Sequence, residues 1–423
     1  MKKEGIKKFS VAIKKWRSLI VIVLLFLCLA LYFMQKFGSV ETPAGLGINI
    51  HFTGKQVDID RISDADFDLV RTDLFWSSIE KEKGEYEFES NGYDELTYEL
   101  LSKGIRPYYV LDYSNLLYEE DGTLIETEEG LQAFNQYVKE ATERYKNKGI
   151  IWEVWNEPNI QSWSPKKYYD LLKQTSTTIK ENDRSGYVVA PALAGLSDES
   201  LTWLEQLFQE GALDYIDALS VHPYRSWSPE TVSYEYKNLK ELLKKYSSKS
   251  IPIISGEWGY STGNGWYGLN LTEEQQAAYL IRMILMNMLE DIPISVIYGW
   301  ENDGTDEHNG EHHFGIRHHD TTYAKLAYEA INTFSYLTSN YQLLERIETD
   351  HLDDYVIKFI NDEEQELYIM WSVDSNHEIK FPLKKDEGQV FSMLGKRLNP
   401  YDKEKRIIEI GHEPVYFFLT NSD

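Results

Sequence analysis

From residue 45 to residue 337, short apolar runs rich in β-branched residues alternate with longer stretches whose apolar positions recur every three or four residues. The first pattern is typical of buried parallel strands and the second of amphipathic helices. Eight strand-like runs alternate with helical patterns, and this alternation predicts an α/β fold, a closed (β/α)8 TIM barrel. The predicted strands cover residues 45–52, 68–74, 106–113, 150–157, 187–195, 218–224, 253–258 and 293–301.

Local signals mark where the predicted helices begin. Ser164 and Ser228 each offer an N-cap directly before a proline, and Thr272 opens a capping box with Gln275. The predicted helices cover residues 93–103, 127–146, 165–182, 201–210, 229–245, 273–291 and 323–337, with a short weak helix near residues 57–65.

After about residue 340 the pattern changes to short alternating segments separated by turn-forming Asn, Asp, Ser and Gly residues. This pattern predicts a small antiparallel β-sandwich beside the barrel. We therefore divide the chain into an N-terminal segment (1–40), a barrel domain (41–338) and a sandwich domain (339–423). The predicted sandwich strands cover residues 355–359, 366–371, 377–381, 406–410 and 414–419.

The N-terminal segment combines a basic flank with an apolar run at residues 19–34. This order is typical of an export signal, which is either cleaved or retained as a transmembrane anchor. We favour the uncleaved anchor, because the apolar run is longer than most signal peptides need and no clear small-x-small cleavage site follows it. In either case we expect the rest of the chain outside the cytoplasm, at the cell membrane or secreted.

Composition narrows the class of partner. The chain has 43 Lys and Arg against 69 Asp and Glu, and its net charge of -26 argues against nucleic-acid binding. The only cysteine, Cys28, lies in the N-terminal apolar run. The predicted exported part therefore has no disulfides and relies on the size of its core for stability.

Candidate chemistry lies at the carboxyl ends of two predicted strands, which in such a barrel face the active site. The fourth strand ends in Trp155-Asn156-Glu157-Pro158, and Glu257 stands near the end of the seventh. Retaining glycoside hydrolysis needs two carboxyl groups about 5 Å apart, one to protonate the leaving oxygen and one to attack the anomeric carbon. Because the two segments bring their glutamates to the same mouth of the barrel, they are candidates for this pair.

These motifs resemble glycoside hydrolase clan A, the retaining β-glycosidases built on this barrel, and most resemble families 39 and 5. The resemblance covers nearly all of residues 45–335. It implies that Glu157 is the acid/base and Glu257 the nucleophile. It also implies that Asn156 binds the 2-hydroxyl of the sugar.

The resemblance extends to other strand ends. It implies that Arg71 keeps the nucleophile ionised, that Tyr224 hydrogen-bonds the nucleophile, and that His222 lines the cleft. It further implies that Trp300 is an aromatic platform for a sugar ring. The structural alternatives are a rim ion pair for Arg71, a core position for His222 and ordinary packing for both aromatic residues.

Weaker substrate-binding candidates are His51, Trp76, Tyr109 and Asp112, which stand at or just after predicted strand ends. The histidine-rich stretch at residues 307–319 invites a metal interpretation, but its spacing matches no helix-borne ligand set. A sugar-lining or solvated loop is the favoured interpretation, with a structural Ca2+ site as the alternative. The hydrolytic chemistry itself needs no metal or cofactor.

Together these observations predict a monomeric, membrane-tethered retaining hydrolase of a β-linked polysaccharide or oligosaccharide at the cell surface. The strong acidity disfavours a polyanionic glycan. Two alternatives remain: a non-catalytic carbohydrate-binding protein with a vestigial site, and a transglycosylase that uses the same covalent intermediate.

Overall fold

A computed structural model describes residues 42–54, 56–266, 268–320, 322–380, 388–398 and 407–419. The predicted N-terminal anchor or signal lies outside these residues. Among the described helices, none combines the length and the apolar character that crossing a membrane requires.

Eight parallel strands close into a barrel in chain order, with the last strand paired to the first. The predicted (β/α)8 barrel is therefore confirmed. Its strands are β1 (Gly45–Asn49), β2 (Leu69–Phe75), β3 (Arg106–Asp112), β4 (Ile151–Val154), β5 (Tyr187–Ala194), β6 (Ala218–His222), β7 (Ile253–Trp258) and β8 (Ile294–Ile297).

Helices surround the barrel because their apolar stripes cover the outward faces of the strands. Two predicted starts are confirmed: the Ser164 side chain accepts from the Lys167 amide, and Thr272 forms its capping box with Gln275. The helices are α1 (Gln56–Asp64), α2 (Trp76–Ile79), α3 (Tyr93–Ser102), α4 (Glu128–Arg144), α5 (Pro165–Asn182), α6 (Asp198–Gln209), α7 (Val232–Tyr246), α8 (Glu273–Leu289) and α9 (Leu326–Thr338).

Ser228 takes the predicted N-cap position directly before Pro229, but its side chain does not cap the helix. A 3-10 turn (Pro229–Thr231) precedes α7, and Ser228 makes no side-chain capping bond there. Its hydroxyl instead donates to Glu230 and accepts from the Arg282 guanidinium at 3.0 Å. The Ser228 hydroxyl therefore hydrogen-bonds the buried Glu230–Arg282 ion pair and not a backbone amide of the helix.

The C-terminal region forms an antiparallel five-stranded sheet and an antiparallel strand pair, consistent with the predicted sandwich. Two strands, β9 (Gln342–Ile347) and β13 (Gly388–Ser392), are absent from the prediction. The β9 segment is an edge strand whose side chains are mostly exposed, so it lacks the buried face that produces alternation. The strands are β9 (Gln342–Ile347), β10 (Asp354–Ile360), β11 (Glu366–Ser372), β12 (His377–Lys380), β13 (Gly388–Ser392), β14 (Ile407–Ile410) and β15 (Val415–Leu419).

Residues 43–423 form one compact unit, and a buried polar contact joins the sandwich to the barrel. The Glu230 carboxylate accepts from Arg282 Nε at 2.7 Å and from the indole N–H of Trp371 at 2.7 Å. Trp371 belongs to β11, whereas Glu230 and Arg282 lie beside and on α8 of the barrel. Since all three side chains are buried and the carboxylate is paired, the contact fixes the two parts against each other.

Candidate active site

The turn after β4 carries Asn156 and Glu157 at the barrel mouth, while the Trp155 ring is buried against Phe134 and Trp163. Trp155 and Glu157 adopt positive φ angles of 65° and 48°, which non-glycine residues rarely do and which cost about 1–3 kcal/mol each. Surrounding contacts hold this turn. The Trp155 amide donates to Leu111 O at 3.2 Å, its indole donates to Gln161 Oε1 at 3.0 Å, and the Glu157 amide donates to Ala192 O at 3.1 Å.

The structure brings the two predicted glutamates together. One carboxylate oxygen of Glu157, one of Glu257 and a ring nitrogen of His222 all lie within 4.8 Å of one another. Retaining enzymes hold their two carboxyl groups about 5–5.5 Å apart, whereas inverting enzymes need about 6.5–9.5 Å to admit a water molecule. The arrangement therefore has the spacing of a double-displacement site.

Arg71 organises the floor of the site. Its guanidinium donates to Glu257 Oε2 at 2.5 Å, Glu153 Oε2 at 2.8 Å, Asn156 Oδ1 at 2.8 Å and Asn49 Oδ1 at 3.0 Å. The side chain is almost fully buried, so each of these contacts acts in a low-dielectric environment. The arginine thus holds two carboxylates and two side-chain amides in one cluster.

Glu153 is absent from the predicted site. It lies on β4, fully buried inside the barrel, where it accepts from Arg71, from the Tyr108 hydroxyl at 2.8 Å and from the Ser220 hydroxyl. The available signal is a charged residue in the middle of an otherwise apolar strand, which inside a barrel requires a partner. Glu153 binds Arg71 Nε, which leaves Nη1 to donate to Glu257 and Nη2 to donate to Asn156.

Replacing Arg71 with methionine is expected to lower the free energy of unfolding by about 3–5 kcal/mol, because the buried Glu153 then loses its cation. Chemical denaturation followed by circular dichroism measures the change. The Arg71→Met/Glu153→Gln double variant should recover part of the loss, and Arg184→Met, at an exposed position, serves as the control. A loss below about 1 kcal/mol for the single variant would contradict this role.

Tyr224 and His222 contact the two glutamates differently. The Tyr224 hydroxyl donates to Glu257 Oε1 at 2.8 Å. His222 Nδ1 lies 2.9 Å from Glu157 Oε1 and 4.0 Å from Glu257 Oε1, and its side chain is fully buried. His222 therefore lies between the two glutamates inside the barrel, whereas the Tyr224 hydroxyl hydrogen-bonds Glu257.

These contacts shift the titration of the site. Burial by itself raises the pKa of Glu257, but the charges of His222 and Arg71 and the Tyr224 hydrogen bond outweigh it, so the pKa lies below the ordinary 4.5. Burial lowers the pKa of His222, yet the charge of Glu257 and the contact with Glu157 bring it above the ordinary 6.5. Glu257 is accordingly ionised at neutral pH, as a nucleophile must be.

Replacing Tyr224 with phenylalanine is expected to move the acidic limb of the pH profile of kcat/KM to higher pH. The sign follows from the lost hydrogen bond: it stabilises ionised Glu257, so its removal raises the pKa of that carboxyl and protonates it at higher pH. Initial rates on a β-glycoside between pH 3 and pH 8 measure the limb, which in the wild type should lie below pH 4.5. An acidic limb that stays in place in the variant would contradict the coupling.

Asn156 and His51 occupy neighbouring parts of the site. The Asn156 amide donates to the Tyr113 hydroxyl at 3.2 Å while its oxygen accepts from Arg71, so its orientation is fixed from both ends. His51 lies at the barrel mouth with its ring nitrogens 3.0 Å from Asn49 Nδ2 and 3.1 Å from Asp303 Oδ1. Both predicted residues therefore face the cleft.

Two predicted aromatic contacts with substrate are wrong. Trp300 is 1% exposed and packs against Tyr328, with ring centroids 5.9 Å apart. Trp76 is 0% exposed, donates its indole N–H to Glu80 at 2.6 Å and stacks on Tyr118. Both rings point into the layer between barrel and helices, so neither presents a face to a sugar.

The aromatic ring that does reach the mouth from the end of β8 is Tyr298, which the prediction missed. It is partly exposed, its hydroxyl donates to Asp303 Oδ2 at 2.9 Å, and its ring lies 6.5 Å from that of Tyr224. From its position in the sequence, either Tyr298 or Trp300 could supply the aromatic ring at this strand end.

Tyr109, a weaker candidate, is also wrong. It is buried, and its hydroxyl lies 2.6 Å from Thr97 Oγ1 of α3, on the outer side of the barrel.

The histidine-rich loop after β8 holds itself together through local hydrogen bonds. His313 contacts the side chain of Asn302 and the carbonyl of Asp306, and His319 contacts the carbonyl of Asn302. A metal site needs at least three His, Cys, Asp or Glu side chains whose ligand atoms lie close together. In the described parts of the chain, the only such group is Glu157, His222 and Glu257. Among the described residues, the histidines of this loop therefore form no metal-binding cluster.

Parts of the chain match known protein families. The profile of the cellulase family, glycosyl hydrolase family 5, matches residues 37–306. A β-xylosidase of Geobacillus stearothermophilus is 31% identical over 157 residues, which are 32% of this chain and 30% of that enzyme. The matched stretch thus spans less than a third of the xylosidase.

Solved structures share the fold over most of the chain. A family 39 glycoside hydrolase from the gut symbiont Bacteroides cellulosilyticus WH2 superposes with a TM-score of 0.78 at 23% identity, covering 89% of this chain and 81% of that one. A monomeric β-xylosidase from Caulobacter crescentus CB15 superposes with a TM-score of 0.65 at 13% identity, covering 89% and 96%. At these identities the likeness establishes the fold.

Proposed function

Because the chain belongs to the cellulase family, glycosyl hydrolase family 5, we propose that it is a retaining O-glycosyl hydrolase that cleaves β-glycosidic bonds between Glu157 and Glu257. The supporting observation is the convergence of one oxygen from each carboxylate within 4.8 Å, beside His222. That separation suits direct attack by a carboxylate on the anomeric carbon, and it is shorter than the gap in which an inverting enzyme holds a water molecule beside the intact substrate.

The surroundings of the two glutamates support a division of roles. Glu257 accepts from Arg71 and Tyr224, which stabilise its negative charge and orient both oxygens. The side-chain contact described for Glu157 is with His222. The carboxylate with the stronger positive surroundings suits the nucleophile, and the other suits the acid/base.

In the first step Glu257 Oε attacks the anomeric carbon, and the bond from that carbon to the leaving oxygen breaks. Glu157 transfers its proton to this oxygen, so the leaving sugar departs as a neutral alcohol. A covalent glycosyl ester on Glu257 remains. Arg71 and Tyr224 hold the carboxylate in position for the attack without the need for reorganisation.

In the second step Glu157, now ionised, takes a proton from an incoming water molecule. The water oxygen attacks the same carbon and Glu257 leaves, so the product keeps the β configuration. Asn156, whose amide is held by Arg71 and Tyr113, is placed to bind the sugar 2-hydroxyl, a contact that strengthens as the oxocarbenium ion develops.

The proposed substrate is a neutral β-linked oligosaccharide or polysaccharide. The net charge of -26 disfavours a polyanionic glycan. The β-xylosidase similarity makes xylosides the first compounds to test.

A panel of 4-nitrophenyl β-glycosides and soluble β-glycans tests the proposal, with the anomeric configuration of the first product read by proton NMR. We expect the wild type to give a β product from at least one substrate. The Glu257→Gln variant should give no product although it is folded. An α product would contradict retention. Products longer than the substrate would indicate a transglycosylase, and binding without turnover would indicate a carbohydrate-binding protein.

We further propose that the protein is tethered at the cell membrane with the barrel outside the cytoplasm. The basis is the basic flank and apolar run at the N-terminus. Fractionation of cells with an antibody to the barrel tests this arrangement. Protein released into the medium without residues 1–40 would indicate cleavage instead, and protein in the cytosol would contradict export.

A further inference from the structure

An acidic pair lies at the ends of β2 and β3, and the proposed chemistry does not use it. Side chains alternate along a strand, so Asp73 shares the inward face of Arg71, and Asp112 shares that of Tyr108. Arg71 and Tyr108 both contact Glu153 inside the barrel. Asp73 and Asp112 therefore project into the barrel on the mouth side of this network.

Asp112 is 0% exposed, and neither of its carboxyl oxygens meets a hydrogen-bond donor from the described residues. Burial, the charge of Asp73 and the contact with it raise the pKa of Asp112 well above its ordinary range. Two adjacent carboxylates without donors are costly, and one shared proton removes the conflict. Neutral Asp112 then donates its O–H to Asp73.

This proton leaves Asp73 as the ionised member. Burial raises the pKa of Asp73, but the charges of Arg71 and His51 and the hydrogen bond from Asp112 oppose that rise. For Asp112, burial, the charge of Asp73 and the contact with it all raise the pKa, so Asp112 holds the proton more firmly. The Asp73 side chain is also partly exposed. Apart from the proton shared with Asp112, no donor to its side chain is found among the described residues. Asp73 thus presents unfilled acceptor positions at the mouth of the barrel, beside the cleft over Glu257.

The order of the strands relates this acceptor to a sugar ring. Asn156, proposed to hold the 2-hydroxyl, follows β4, and the neighbouring strands β3 and β2 supply Asp112 and Asp73. Successive hydroxyls of a pyranose ring point outward in order around its rim. The hydroxyls after C2 therefore face the acidic pair when the anomeric carbon lies between the two glutamates.

We propose that Asp73, positioned by Asp112, accepts hydrogen bonds from the C3 and C4 hydroxyls of the sugar bound over Glu257, and so restricts this subsite to neutral sugars with both hydroxyls free. This assignment rests on the proposed function. A sugar with a carboxylate near C3 or C4 would place that negative charge beside ionised Asp73. A sugar with a substituted hydroxyl at C3 or C4 would leave Asp73 without a hydrogen-bond donor. Both outcomes are unfavourable.

The test combines enzyme variants with deoxy substrates. Whichever 4-nitrophenyl β-glycoside the wild type hydrolyses is compared with its 3-deoxy and 4-deoxy analogues on the wild type, Asp73→Asn, Asp112→Asn and the exposed control Asp350→Asn. We expect Asp73→Asn to lower kcat/KM about 10- to 100-fold on the parent glycoside, as loss of a hydrogen bond to a charged group predicts. We expect a similar penalty for at least one deoxy analogue on the wild type, and little further penalty for that analogue on Asp73→Asn.

Asp112→Asn discriminates between positioning and mere packing. Its amide N–H still donates to Asp73, so kcat/KM should remain within about threefold of the wild type, whereas Asp112→Leu, which cannot donate, should behave like Asp73→Asn. Circular dichroism melting confirms that each variant is folded.

Equal deoxy penalties on the wild type and on Asp73→Asn would overturn the assignment of Asp73. A large loss in Asp112→Asn with Asp112→Leu no worse would overturn the positioning role of Asp112. In both cases Glu257-dependent hydrolysis persists, so the proposed function stands. A wild type that hydrolyses no member of the panel would overturn both proposals together.

Discussion

Replacing Glu257 with glutamine is expected to lower kcat on a β-glycoside by about 10,000-fold or more. The amide keeps the size of the side chain but has no negative charge with which to attack the anomeric carbon. Arg71 would then face a neutral oxygen in place of its anionic partner at 2.5 Å. Initial rates with a 4-nitrophenyl β-glycoside at saturating concentration measure the loss.

Two comparisons separate this effect from damage to the fold. Glu348→Gln, at an exposed position of the region after the barrel, should leave kcat unchanged. In Glu257→Ala, added azide fills the vacated space and attacks the same carbon, so an α-glycosyl azide should form. Wild-type rates in Glu257→Gln would exclude Glu257 as the nucleophile.

Replacing Glu157 with glutamine is expected to produce a loss that depends on the leaving group. With an alkyl or sugar leaving group, which needs a proton, kcat/KM should fall about 100- to 10,000-fold. With 2,4-dinitrophenol, which leaves without protonation, the loss in kcat/KM should be much smaller. A series of aryl β-glycosides with leaving-group pKa values between about 4 and 10 measures the dependence.

The same variant tests the second step. Because glutamine cannot accept a proton from water, the covalent intermediate on Glu257 should accumulate with the dinitrophenyl substrate and give a burst of released phenol. A loss that is uniform across the series, without a burst, would assign Glu157 a purely structural role. His222 lies 2.9 Å from Glu157, so a uniform loss would direct attention to that histidine instead.

The repeating pattern of strands and helices was predictable because it is written in local periodicity. The predicted bounds of β7 and α5 agree with the structure to the residue, since each begins or ends at a strong local signal such as the Ser164 cap. Strands β4 and β8 end earlier than predicted, at Val154 and Ile297. The predicted ranges continue into the turns that carry Asn156 and Glu157 after β4 and Tyr298 and Trp300 after β8, because the sequence pattern does not record where the backbone leaves the strand.

Side-chain direction beyond the strand ends was not predictable. Side chains alternate between the two faces only while the backbone remains extended. Because β8 ends at Ile297, the sequence does not show whether the side chains of Tyr298 and Trp300 point into the cleft or away from it. The structure leaves Tyr298 partly exposed at the cleft and buries Trp300 against Tyr328. Burial of Trp76 has the same cause, because the chain passes from β2 directly into the short helix α2, of which Trp76 is the first residue.

By itself the sequence determined the eightfold alternation of strand and helix and the two strand ends that carry Glu157 and Glu257, because periodicity and local motifs are properties of neighbouring residues. Only the tertiary structure decided that Glu153 would anchor Arg71 from inside the barrel, that Tyr298 would replace Trp300 at the mouth, and that Asp73 would face Asp112. These pairings join residues far apart in the chain or on adjacent strands. They depend on barrel closure and on the register between strands, which set distances that no single segment contains.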